Sequence, residues 1–306
     1  MTTTPVEVGT PAGSAARLAS ARTRPRSRLL ADLRGLYIIW FRDVLRWWRD
    51  RQRILPSLVQ PILYLFIFGV GLGSALGGGL GAATGGAGMP GVSYTTFMYP
   101  GILAMSVLFT SIFSAMSIVW DREFGFLKEI QVAPISRTAV AIGKALGGST
   151  VAMLQASLLL VVAPLVGVHL DLLLVLEIWL LLFLLAFALS AMGVAIASRL
   201  RSMEGFQVVM NFVMMPLLFL SGAFFPLNGL PPWLAALTRI DPAAYAVDGL
   251  RRVTLNSSGV PDSVLAGFAI HGPSGEPIPI LLDAIVLIVF SVPAVFLAVR
   301  WFGRSE

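Results

Sequence analysis

The sequence predicts an all-α polytopic membrane protein with six transmembrane helices, an N-terminal interfacial elbow helix and a re-entrant outer segment before the last span. Three observations lead there. Of the 306 residues, 57% are apolar and only 12% are charged, where a soluble domain carries about 25% charged residues. The apolar residues fall into separate runs near twenty residues long, the length that crosses hydrocarbon. The charges, net +6, are clustered: eleven of the 22 lysines and arginines are Arg17, Arg22, Arg24, Arg26, Arg28, Arg34, Arg42, Arg46, Arg49, Arg51 and Arg53. On a membrane protein such a basic head marks the cytoplasmic side and attracts anionic lipid, so no nucleic-acid partner is expected. With no cysteine and only His169 and His271, neither a disulfide framework nor a His/Cys metal site is expected.

Residues 1–28, rich in Thr, Ala, Ser, Pro and Arg without periodicity, read as a disordered basic tail. Residues 29–53 read as an amphipathic helix. Leu33, Tyr37, Trp40, Val44 and Trp47 recur at steps of four and three, and Arg42, Arg46 and Arg49 occupy another face. Tryptophans beside arginines suit a helix in the headgroup layer; packing on the protein's own body is the other reading. The transmembrane domain then fills 54–306.

Span one covers about Leu55–Leu76, with Pro56 and Pro61 in its opening turns, and runs into an uncharged glycine-rich loop over 77–96. That loop lacks the Lys-Ser/Thr ending of a phosphate cradle. Span two is about Phe97–Val119. Span three, about Ala139–Val162, carries Gly143 and Gly147, a spacing that permits close helix contact. Span four, about Leu172–Ala197, holds Glu177, read chiefly as an interfacial carboxylate near the outer end. Span five is about Phe206–Phe225. Prolines at 226, 231, 232 and 242 then break the chain, and Trp233–Ile240 is too short to cross, so 223–251 reads as re-entrant at the outer interface. Residues 251–278 read as an external loop. Span six is about Pro279–Val299, with Asp283 a helix-start charge near the outer surface.

Six spans place both termini on one side. With the basic head in the cytoplasm, the 120–138 loop, the 199–205 loop and the tail bearing Arg300 and Arg304 lie there too. The stretch Trp120–Arg137, WDREFGFLKEIQVAPISR, is the compact charge-rich segment between two long apolar runs. Phe124, Leu127 and Ile130 alternate with Arg122, Glu123, Lys128 and Glu129, the pattern of a short amphipathic helix that ends near Pro134. It reads either as a solvated loop or as a docking element for a soluble partner. No nucleotide-binding motif, metal constellation or serine–histidine–acid set occurs, so the chain is expected not to be an enzyme.

Three segments carry a family resemblance. DREFGFLKEIQVAPISR at 121–137 is similar to a loop with a Glu-x-Gly core, a short helix and a Pro-x-Ser-Arg ending, matched by Glu123, Gly125, Pro134, Ser136 and Arg137. SGAFFPLNGLPPWLAALTRIDPAAYAVDGLR at 221–251 is similar to a C-terminal signature, matched by Phe225-Pro226, Leu230 to Trp233, Asp241-Pro242 and Tyr245 to Arg251. The helix Leu33–Trp48 matches an elbow helix, the least specific of the three. On these residues the chain resembles the permease subunit of a type-2 ABC exporter, in the branch similar to the daunorubicin-resistance multidrug permeases. It departs from that pattern in the hydrophobic Phe124 and Phe126 around Gly125.

The resemblance implies a non-catalytic subunit, multi-pass in a bacterial plasma membrane with both termini cytoplasmic. It would pair with a second permease chain, identical or closely paralogous, and dock a cytosolic ABC ATPase dimer. No cofactor is expected on this chain; ATP and Mg belong to the partner. The expected cargo is a hydrophobic or amphiphilic small molecule, a drug, antibiotic or lipid-like compound, moved out of the cytoplasm or inner leaflet. A lipid-linked saccharide or polysaccharide is the alternative, and a stand-alone channel or scaffold a more distant one. Coupling to the ATPase falls on Glu123, Gly125, Phe126, Leu127 and Arg137. The outer re-entrant motif is Phe225, Pro226, Trp233, Pro242 and Tyr245. Tyr64, Phe68, Phe109, Phe113, Met210 and Met214 are candidates to line a path, although side chains at this helical spacing more often pack a bundle.

Overall fold

The computed structural model describes residues 25–75, 93–124, 135–227, 230–272 and 276–302. Among them the chain is helical: α1 (Pro25–Arg49), α2 (Arg51–Ala75), α3 (Tyr94–Ser114), α4 (Met116–Glu123), α5 (Arg137–Leu160), a 3-10 turn (Ala163–Val166), α6 (Leu172–Ala197), α7 (Met203–Leu220), α8 (Pro232–Thr238), α9 (Pro242–Ser257), α10 (Asp262–Phe268) and α11 (Ile280–Phe302). Local chemistry starts several of them. Ser93, Ser136, Asp171, Ser202 and Asp241 sit in extended backbone ahead of a helix, and each side chain accepts one of the first free N–H groups. Pro242 follows Asp241 at the first helical position, where its missing N–H costs nothing.

Among the described residues, five helical segments are long and apolar enough to cross a membrane: Ile54–Gly71 of α2, Tyr94–Glu123 spanning α3 and α4, α6, α7 and α11. The third expected span, α5, is 24 residues long but carries Lys144 and Gln155. It packs on α1, α3, α6 and α11, with Lys144, Ser149 and Gln155 buried among them, so much of its polarity faces protein. The bundle centres on α3, α5, α6 and α11; α6 touches the other three and also α9. Phe97, Leu108, Ile112, Ile178 and Leu182 fill its core with essentially no exposure. In contrast, only 17% of the α2 span and 22% of α7 are buried.

Several expected boundaries move. The N-terminal helix starts at Pro25 and ends at Arg49, and α2 begins at Arg51 rather than Leu55. Leu33, Tyr37, Ile38 and Phe41 form an exposed apolar strip, while Gly35 packs on Ile135, Ile39 on Gly143 of α5, and Trp47 is buried. The helix therefore has one face seated on protein and a second left open. Trp120–Glu123, expected in the loop, complete α4, and α7 ends at Leu220 instead of Phe225. Two further expectations are corrected. Residues 251–278 are not simply an external loop, because α9 continues to Ser257 as a helix buried along most of its length and α10 follows. Asp283 is not a surface charge; it is fully buried, because α9 lays Arg252 against it.

Candidate functional site

Polar and charged side chains gather in three places: at the arginine-rich end of the bundle, around a cavity, and at the opposite end. At the arginine-rich end, α1 runs along α5 with Gly35 against Ile135, Gly143 against Leu36 and Ile39, and Gly147 against Asp43. A Cβ at Gly147 would lie 3.1 Å from the Asp43 side chain, so the two small residues singled out on α5 are what lets α1 approach. Trp40 Nε1 donates to Thr150 Oγ1 at 2.9 Å, and Ser136 N donates to Asp32 Oδ1 at 2.7 Å.

Between α1, α4 and α5 lies a group of four charges. Lys144, 4% exposed, donates to Asp43 Oδ1 at 3.1 Å and Ser117 Oγ at 2.9 Å, and reaches Asp121 Oδ2 at 3.5 Å. An ammonium has three N–H donors, and three acceptors surround this one. Arg42 donates to the same Asp121 oxygen at 2.9 Å from a largely open position. Two cations offset two carboxylates, which is what permits lysine and aspartate to be buried here.

The far end of α4 is tied elsewhere. Arg122 Nη1 donates to the Leu200 carbonyl at 2.7 Å, and Glu123 Oε2 accepts the Met203 N–H, the first of α7, at 3.2 Å. Thus Glu123, expected to contact an ATPase, holds α4 to α7 within this chain. Arg137 opens α5 with an exposed side chain. Gly125, Phe126 and Leu127 lie outside the described residues. The segments on both sides of 125–134 are nevertheless anchored to α1: Asp121 through Arg42, Ser136 through Asp32.

Above this group a cavity of about 410 Å³ opens between α1, α2, α3, α4 and α5. Its base is a polar brace. Gln155 Nε2 donates to Ser106 Oγ at 2.9 Å and to the Ser57 carbonyl at 3.0 Å, and its Oε1 accepts from Thr110 Oγ1 at 2.7 Å. Met105, Phe109, Phe113 and Trp120 give it apolar walls, and Asp43, Arg46 and Asp50 its charged rim. Of the six path candidates, Phe109 and Phe113 line this cavity. Tyr64 and Phe68 pack half-buried on the core, Phe68 against Phe224, while Met210 and Met214 are buried within it.

At the opposite end the chain breaks after α7. Gly222 turns it at φ +70, and Gly101 of α3 lets the backbone in: a Cβ there would lie 2.4 Å from the Ala223 carbonyl. Arg251, 2% exposed, donates to the Gly222 carbonyl at 2.7 Å and lies 4.0 Å from the centre of the Phe97 ring. Arg252 pairs with Asp248 one turn back at 2.6 Å and with Asp283 of α11. Tyr245 donates to the Arg239 carbonyl at 2.9 Å, and Tyr94 to the Phe224 carbonyl at 3.0 Å. Burial pushes the Asp241 carboxyl up to about 7, partly offset by the Ala243 N–H that it accepts. Of the residues expected in a re-entrant motif, Pro242 and Tyr245 are buried, Pro226 is half-buried, and Phe225 and Trp233 are exposed.

Sequence reasoning passed over Lys144, Asp43 and Asp121, and left Arg251 and Arg252 in a loop. Signals existed for both. Lys144 is the one ionisable residue inside the run Ala139–Val162, and Asp248 and Arg252 stand four apart, the helical ion-pair spacing.

The model of the ABC-2 type transporter family, whose members are membrane components of ABC transporters, matches residues 34–255. The chain is 29% identical over 229 residues to the inner membrane transport permease YadH of Escherichia coli K12, covering 74% of this chain and 85% of that one. It is 31% identical over 227 residues to nodulation protein J of Rhizobium meliloti (72% and 80% covered). It is 26% identical over 263 residues to the putative transport permease ycf38 of Cyanophora paradoxa (84% and 88% covered).

Proposed function

The chain belongs to the ABC-2 type transporter family as a non-catalytic membrane permease subunit, and from that premise we propose that it serves an ATP-driven exporter of hydrophobic or amphiphilic small molecules. Association with an ABC ATPase and a second permease chain is typical of the family. In the proposed arrangement α5 joins the five apolar spans to make six, both termini are cytoplasmic in a bacterial plasma membrane, and 223–251 is re-entrant at the outer face. The second chain covers the open apolar sides of α2 and α7. The multidrug branch of the family is the proposed affiliation.

The observation that carries this reading is the way 125–134 is suspended. The helices flanking it are braced to α1 by Arg42–Asp121 and by Asp32–Ser136, and to α7 by Glu123–Met203 N. A push on that segment from a soluble partner moves α1, α4, α5 and α7 together, where a slack loop would absorb it. Glu123, Gly125, Phe126, Leu127 and Arg137 are the proposed coupling residues. The test is ATP turnover by the cognate ATPase in proteoliposomes, with and without this chain and with Phe126→Ala/Leu127→Ala. The chain should alter turnover and the double variant should lose that effect while inserting normally. An ATPase that neither binds the chain nor responds to it overturns the reading.

A further inference from the structure

The 410 Å³ cavity lies within a single chain, and its construction has a polarity. Two polar braces hold it open. At one end Lys144 joins Asp43, Ser117 and Asp121; at the other Gln155 joins Ser57, Ser106 and Thr110. These braces stand eleven residues apart on α5, about 16 Å at the helical rise. Because Gln155 bonds to both α2 and α3, α2 cannot settle onto α3 and close the space without breaking buried hydrogen bonds. The volume is within the range of about 300–1,000 Å³ typical of small-molecule sites.

The charge on the rim selects among ligands. Asp43 gives Lys144 one oxygen, Oδ1, and no hydrogen bond reaches Oδ2 among the described residues. Asp50, exposed at the break between α1 and α2, has no side-chain partner among them. The one cation on the rim, Arg46, lies over the Trp120 ring at 5.9 Å. Beside the Asp43 oxygen that Lys144 holds, the rim therefore offers Asp43 Oδ2 and the Asp50 carboxylate above aromatic and thioether walls, the combination that holds an organic cation with an apolar body. We propose that this cavity binds a cationic amphiphile, an amine at Asp43 and Asp50 with its apolar portion against Phe109, Phe113 and Met105, loaded from the cytoplasmic leaflet. The proposal deepens the exporter reading and rests on it for the orientation of the rim.

The test is binding to the full-length chain in nanodiscs of neutral lipid, without ATP. The probe is a bromine-labelled alkylamine, with the bromoalkanol and bromoalkanoate of equal length as controls. Bromine quenches nearby indoles, and Trp47 and Trp120 both line the cavity. The amine should quench saturably and the carboxylate should not. Asp50→Asn should weaken the amine about twofold to fivefold, the effect of losing an exposed charge pair, and leave the alcohol unchanged. Val151→Phe, which narrows the cavity without touching a hydrogen bond in either brace, should weaken amine and alcohol alike. Equal, non-saturating quenching by all three probes, or amine binding indifferent to both variants, overturns the proposal. Turnover in the ATPase assay separates the two readings: coupling without amine binding removes the site and keeps the permease function. Saturable amine binding by a chain that no ATPase recognises keeps the site and removes the exporter.

Discussion

The two charge groups at opposite ends of the bundle use the same residue types for opposite ends. At the arginine-rich end, Arg42, Asp43, Asp121 and Lys144 come from three separate helices, and Arg42 is 43% exposed. At the other end Asp248, Arg251 and Arg252 share one helix, Asp283 faces them from α11, and Asp283 and Arg251 are at most 2% exposed. The first group borders a cavity and a charged loop; the second fills the space between α3, α6 and α11. A junction of separate elements with one solvated partner can be opened and remade, because water can replace what is lost. A sealed group lacks that option. The contrast teaches that the arginine-rich end is built to be moved and the opposite end to be held.

The sealed group should show the largest effect. Arg252→Leu strands Asp248 and Asp283 without their shared cation, and removing one partner of a buried pair costs about 3–5 kcal/mol. The expected result is a sharp fall in melting temperature and in folded yield, and a variant as stable as the parent would erase the distinction between the ends. Lys144→Met comes next. It leaves Arg42 near Asp121 and Asp43 close to solvent, so a loss of about 2 kcal/mol is expected. Its fold should survive in detergent while control of ATPase turnover is lost; intact control would mean that the group is only structural. Glu123→Ala should cost about 1 kcal/mol as a lost helix cap, read in hydrogen exchange at the start of α7 rather than in global melting. A double-mutant cycle on Arg42 and Asp121 should give less than about 1 kcal/mol, since Arg42 is largely open to solvent.

A separate test of the sealed end is by pH. The Asp241 carboxyl is held at about 7, above its ordinary range, so its ionised form opposes folding. That opposition is absent where the group is protonated in both folded and unfolded chains, below about pH 4. It grows as pH rises and is complete above the folded value. Asp241→Asn keeps the cap and removes the charge. It should raise the melting temperature at pH 8 and leave it unchanged at pH 4.

How much of this was legible in the sequence depended on which solvent faced each residue. The bounds of α6 were readable to the residue, because Leu172–Ala197 is apolar but for Glu177 and Ser190 and Asp171 caps its start. The apolar repeat of α1 was read as a single face, and the structure divides it: Leu33 and Tyr37 lie on the open strip, while Trp40 bonds Thr150 of α5 and Trp47 is buried. A helix with two neighbours shows two stripes, and periodicity cannot say which neighbour is protein. Arg251 and Arg252 were left at an external loop by the order of the spans; they are buried on α9 because the Gly222 carbonyl and the Asp283 carboxylate, brought by tertiary contact, join Asp248 in receiving them. The cavity could not be read at all, since it depends on Gln155 reaching α2 and α3 at once.

The enclosed polarity of α5 has a consequence for how the chain is made. A lysine disfavours insertion of a membrane helix, by about 2.5–3.5 kcal/mol at the centre and less toward an end, and Lys144, two turns from the start of α5, is accompanied by Gln155. Alone at the translocon, α5 is a poor candidate for lateral release into lipid. Its successor α6 is the most hydropathic of the candidate spans and follows after a short turn. Biogenesis should therefore proceed by hairpin, with α5 waiting in an aqueous or proteinaceous setting until α6 emerges and the two enter as one. A nascent chain arrested after Leu160 should leave α5 uninserted, and extension through Ala197 should rescue it.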